Sequence, residues 1–116
     1  MAIVPGLDIT VDHQRNRAII TVYREFDEGL KREEWSQAVI DHLANAKNLD
    51  AVEVNLGKCP IISSTVIAGL VHLYDQYGET CPQGVILRHC TSHVQRILEM
   101  MKLLPMFSLE DPLERN

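Results

Sequence analysis

The sequence predicts an α/β domain built on a mixed, mostly parallel sheet. Two observations carry this. Segments with apolar residues at every second position alternate with segments whose apolar residues recur at helical spacing. The first two strand-like segments are joined by a short polar turn, whereas each later pair is separated by a helix. The predicted order is β-β-α-β-α-β-α-β over a single domain, residues 1–116, with its core at about 7–109 and a polar C-terminal tail.

Leu7, Ile9 and Val11 alternate with Asp8 and Thr10, the pattern of a half-buried strand. Asp12 to Asn16 is turn-like, and Arg17 to Tyr23 is rich in β-branched residues, so the pair reads as an antiparallel hairpin. Glu25 to Gly29 is a polar link. From Lys31 to Lys47 the period becomes helical: Trp35, Val39 and Leu43 recur every four residues, with Ile40 and Ala46 beside them. In Ala51 to Leu56, Val52, Val54 and Leu56 face one way and Glu53 and Asn55 the other. Gly57 to Ile62 is a loop containing Pro60.

Ile67, Leu70, Val71 and Tyr74 then form an apolar helical stripe. Val66, Leu73 and Tyr77 lie on a neighbouring face, as further core or as an exposed patch. Gly78 is suited to close this helix in the left-handed conformation. Val85 to Arg88 is the next strand, and Thr91 or Ser92 caps a third helix with the stripe Val94, Ile97, Leu98 and Met101. Pro105 stops that helix, and Met106 to Leu109 is a last short strand. Alternation in the strands places the helices mainly on one sheet face. Right-handed crossovers are expected between the parallel strands.

Composition narrows the function. The net charge is −5 and the basic residues are scattered, which argues against nucleic acid or an anionic membrane as the main partner. No apolar stretch reaches the ~20 residues that span a bilayer, and no segment reads as a signal peptide. Three cysteines (Cys59, Cys81, Cys90) without a C-x-x-C pair fit reduced thiols and a cytoplasmic location.

The stretch Val52 to Leu70, VEVNLGKCPIISSTVIAGL, resembles the central signature of STAS domains, found in sulfate transporters and in bacterial anti-sigma factor antagonists. In that signature a hydrophobic strand ending in Asp-Leu or Asn-Leu is followed by a short loop, a hydroxyl cluster and an apolar helix. Asn55-Leu56 and the distance to Ser63-Ser64-Thr65 fit it. Val85-Ile86-Leu87, the segment Thr91 to Leu98 and Leu103-Leu104-Pro105-Met106-Phe107 resemble the family's next strand, third helix and exit into the last strand. The resemblance runs from about Leu7 to Leu109 and implies a STAS-like fold.

It also implies a non-catalytic protein-interaction domain, an anti-sigma factor antagonist in a partner-switching pathway that regulates transcription. The partner is then an anti-sigma factor or an ATP-dependent serine kinase of that class, which supplies nucleotide and catalysis, so this chain needs no cofactor. A homodimer or a larger signalling assembly is compatible with it. Ser64 falls on the family's phosphorylated hydroxyl, with Ser63 and Thr65 as neighbours, and Ser63, Ser64, Thr65 and Val66 form the expected partner-binding segment. Two positions depart from the pattern: Ser63 stands where the family has Asp, and Val66 where it has Gly. The same resemblance leaves two other roles open, a constitutive scaffold of a stress-signalling assembly and a regulatory subunit of a membrane transporter.

The residues themselves also admit plainer roles. Ser and Thr are preferred helix caps, and one of Ser63 and Ser64 fills that role. A phosphate at a helix N-terminus meets unpaired N–H groups and a partial positive charge, and adds roughly −1.5 to −2 charge. His89, Cys90 and His93 cluster in sequence, but a structural zinc site wants four ligands. Ser63 and Ser64 lack the flanking glycines of a nucleophile elbow, and the six glycines are too dispersed for a phosphate loop. An enzyme or small-ligand carrier therefore has no catalytic constellation to point to. Cys59 is read as a small inert thiol.

Overall fold

The computed structural model describes residues 7–23, 34–59 and 62–112. Strands β1 (Leu7–Asp12) and β2 (Arg17–Val22) form an antiparallel hairpin, with Leu7 opposite Val22 and Asp12 opposite Arg17. Its turn is held by Asp12, whose carboxylate accepts the backbone N–H groups of Gln14 and Arg15, and Asn16 takes the left-handed conformation at φ 53°. β3 (Ala51–Asn55), β4 (Val85–Arg88) and β5 (Ser108–Glu110) then add in parallel, giving the strand order β1-β2-β3-β4-β5.

The mixed α/β architecture and the element order agree with expectation. One sheet face carries Ala18, Ile20, Val22, Val52, Val54, Val85 and Leu87, all buried in one cluster with α1 (Glu34–His42), α2 (Ser64–Tyr77) and α3 (Ser92–Met100). Tyr74 on α2 meets Phe107 edge-on with ring centroids 5.9 Å apart, closing the core toward β5.

Several boundaries move. Residues 31–33, at the expected start of α1, lie outside the described residues, as do Pro60 and the link 25–29. α1 ends at His42 rather than Lys47, because the backbone tightens into three-residue turns (Ala44 N–H to Asp41, Ala46 N–H to Leu43). Gly78 has φ −58° and ψ −35°, so it does not close α2 in the left-handed region; Gly84, at φ 67°, takes the turn before β4. The buried stripe of α2 runs through Val66, Gly69, Leu70 and Leu73, with Ile67, Tyr74 and Tyr77 partly buried beside it. Val66 and Leu73 are therefore core. α3 ends before Pro105: Lys102 turns left-handed at φ 62°, and the Leu103 N–H reaches back to Leu98. Met101, expected in the buried stripe, is 51% exposed as a result. Pro105 sits inside a 3-10 turn, Leu104–Met106, that leads into β5.

The second sheet face is charged. Glu53 projects from β3 and is only 2% exposed. Three guanidiniums converge on its Oε1: Arg17 at 3.0 Å, Arg88 at 3.5 Å and Arg15 at 3.7 Å. Arg17 reaches on to Glu110 at 3.0 Å and donates to Gln83 Oε1 at 3.1 Å. Burial works against the charge of Arg17, but its hydrogen bonds to Glu53 and Glu110 outweigh that and hold its pKa above the ordinary value. The Nε atoms of Arg17 and Arg88 are buried without a hydrogen-bond partner among the described residues. Ile86, from this face, is 2% exposed yet lies outside the helix-side cluster.

Candidate functional site

α2 begins where β3 ends, at the carboxyl edge of the parallel strands. Asn55 Oδ1 accepts the Gly57 N–H at 2.9 Å, turning the chain out of β3. Cys59, buried after this turn, donates its N–H to Leu56 at 3.0 Å. Gly57 has little room: a Cβ there would stand 3.1 Å from His89 Cβ. His89 follows β4 with φ 60°, and its Nδ1 lies 3.1 Å from the Asp111 carbonyl.

The three hydroxyls at the helix start have separate environments. Ser63 is extended (φ −96°, ψ 166°) and is the N-cap; its Oγ accepts the Val66 N–H at 3.2 Å. Ser64 is the first helical residue and is exposed. Thr65 is half-buried, and its carbonyl accepts the Trp35 indole N–H at 3.0 Å. Val66 is fully buried. Of the four residues expected to meet a partner, Ser63, Ser64 and Thr65 share one surface turn, and Val66 is a correction: it points into the core and offers no surface.

α1 fixes this turn from behind. Trp35 packs on Gly69, and one position on, Ser36 Oγ lies 2.7 Å from His72 Nδ1 on α2. Ser36 is fully buried, so this Ser–His contact joins two helices and is closed to a substrate. Neither the Trp35–Thr65 bond nor the Ser36–His72 contact is legible from spacing, since 30 and 36 residues separate the partners.

On the same edge, Lys58 Nζ stands 5.5 Å from the centre of the Tyr23 ring, and the Tyr23 hydroxyl donates to Asp8 at 2.8 Å. That hydrogen bond raises the Tyr23 pKa. α3 starts nearby with Thr91 as its cap, accepting the Val94 N–H at 3.3 Å. His89, Cys90 and His93 do not converge: Cys90 is buried, His93 is exposed, and among the described residues no group of three metal-type side chains comes together. Burial pushes the Cys90 thiol up to about 12, so it is protonated and unreactive at neutral pH.

No family model matches the chain, and no curated protein matches it in sequence. Its fold is similar to the NMR structure of the protein TM1081, with a TM-score of 0.69 and 17% identity, covering 97% of this chain and 83% of that one. At that identity the likeness concerns the fold. No helix among the described residues is long and apolar enough to cross a membrane.

Proposed function

We propose that this chain is a non-catalytic, STAS-like interaction domain that acts in the cytoplasm as an anti-sigma factor antagonist. Phosphorylation of Ser64 by a serine kinase of the anti-sigma factor class switches its binding. One observation carries the reading: Ser64 is exposed on the first turn of α2, while its neighbour Ser63 is occupied as the N-cap. Capping and modification then fall on different hydroxyls. The resemblance of Val52 to Leu70 to the STAS signature supplies the partner class.

The physics of the switch is local. A phosphate on Ser64 meets the first-turn N–H groups, so the fold tolerates it. It also brings roughly −1.5 to −2 charge into the surface turn, and an interface covering that turn must desolvate or repel it.

The test compares wild type with Ser64→Glu in pull-downs from native lysate, with partners identified by mass spectrometry. A kinase-like partner held by wild type and lost by the variant is expected. The same partner held by both removes Ser64 as the switch. A membrane permease in its place moves the assignment to transporter regulation.

A further inference from the structure

We propose that a second copy of this chain docks along the outer edge of β5, antiparallel and centred on Leu109, extending the five-stranded sheet across a twofold axis. Among the described residues β5 ends the sheet. The Glu110 carbonyl accepts the His89 N–H at 3.1 Å, so Glu110 turns its backbone toward β4. Successive residues alternate, and the N–H and C=O of Leu109 therefore point to the outer edge.

A groove of about 540 Å³ lies beside that edge, walled by Leu104, Pro105, Phe107 and Leu109, with Glu99 and Lys102. Leu109 pairs in register with the core residue Leu87, which places the groove on the helix side of the sheet. It is the space that an inward-facing residue of a sixth strand would fill. The two large apolar side chains exposed among the described residues, Met100 at 76% and Met101 at 51%, are both at the adjoining end of α3.

β5 has the chemistry of that sixth strand. Phe107 and Leu109 alternate with Ser108 and Glu110. Antiparallel pairing about Leu109 sets Glu110 of one copy against Ser108 of the other, so like charges do not face each other. Glu110 and Asp111 are already neutralised by Arg17 at 3.0 Å and Arg88 at 2.8 Å. The groove wall holds one acid and one base, and an isologous contact repeats each patch, so Glu99 and Lys102 can pair reciprocally across the axis. A strand of three residues offers a foreign peptide few backbone bonds; a twofold makes every contact twice.

Sedimentation equilibrium on the full chain, over about a hundredfold range of concentration, tests this. The expected result is a mass that doubles for wild type as concentration rises. Leu109→Pro removes an outward N–H without breaking the β4–β5 ladder, and is expected to keep the single-chain mass with an unchanged circular dichroism spectrum. Leu109→Cys sets two thiols opposite each other at a spacing that a disulfide can bridge. It is expected to give a covalent dimer under mild oxidation, because Cys59, Cys81 and Cys90 are buried. The cross-link also decides the case in which the proline variant fails to fold. Wild type of single-chain mass throughout, a proline variant that dimerises like wild type, or a dimer that the cysteine variant cannot cross-link overturns the proposal.

Discussion

The indole of Trp35 occupies the space that a side chain on Gly69 would need. A Cβ on Gly69 would overlap the ring, while the ring's N–H is held by the Thr65 carbonyl one turn earlier, at 3.0 Å. Glycine normally costs about 1 kcal/mol inside a helix relative to alanine. Gly69→Ala is nevertheless expected to destabilise this protein, because forcing a methyl into a packed interface costs roughly 1–3 kcal/mol and displaces Trp35. The urea midpoint should fall with little change in slope. Trp35 is the sole tryptophan, so native fluorescence should report the displacement directly. An unchanged or higher midpoint would sink this account of the α1–α2 contact.

The two serines at the start of α2 should separate cleanly in stability. Ser63→Ala removes the cap and is expected to cost about 1 kcal/mol. Ser64→Ala alters an exposed first-turn residue and should stay within about 0.5 kcal/mol of wild type. Thermal melts of both variants check this. Equal losses would mean that both hydroxyls serve the fold and would undercut the division of roles at this turn.

Charge removal on the second sheet face should be strongly unequal. Glu53→Ala strips the carboxylate from a 7%-exposed Arg17 and is expected to cost on the order of 3 kcal/mol. Arg15, at 46% exposure, contributes a solvent-screened contact, and Arg15→Ala should cost less than about 1 kcal/mol. Chemical denaturation of both variants measures the ratio. Similar losses would show that Glu53 gains little from its arginines.

Alkaline pH should weaken the fold through its buried thiols and the half-buried Tyr77 phenol. Burial raises the Cys90 thiol from an ordinary 9.0 to about 12, and desolvation raises Cys81 and Tyr77 in the same direction. The folded state thus keeps protons that the unfolded chain releases. Stability is fully present below about pH 9 and declines as pH rises toward 12. Denaturation midpoints across that window should fall less steeply in Cys90→Ala, measured against its own value at neutral pH. An equal slope in both proteins would remove Cys90 as a contributor.

Local pattern carried most of the fold. The hairpin and β4 are legible because strand alternation and turn chemistry depend on near neighbours, and Val85–Arg88 falls where the apolar run places it. The buried face of α2 was less legible. The stripe Ile67, Leu70, Val71, Tyr74 is a good helical pattern, but the core took Val66, Leu70 and Leu73, because Gly69 admits Trp35 from a distant segment. Alternation places Glu53 on the sheet face opposite Val52 and Val54, but its burial is not legible there, since it depends on Arg17 and Arg88 closing over it. At the candidate site the hydroxyl cluster was visible, but Ser63 and Ser64 are equally good caps by type; only backbone geometry separates them.

The bond between Arg17 and Glu110 joins residues 93 positions apart. In the folded protein that span is carried by the sheet itself, since β3 and β4 lie between the strands that hold the two residues. β5 is thus held twice, by its ladder to β4 and by a guanidinium from the first hairpin. The edge that ends the sheet is tied to a residue near the beginning of the chain, so a change at Arg17 is felt at the opposite side of the sheet.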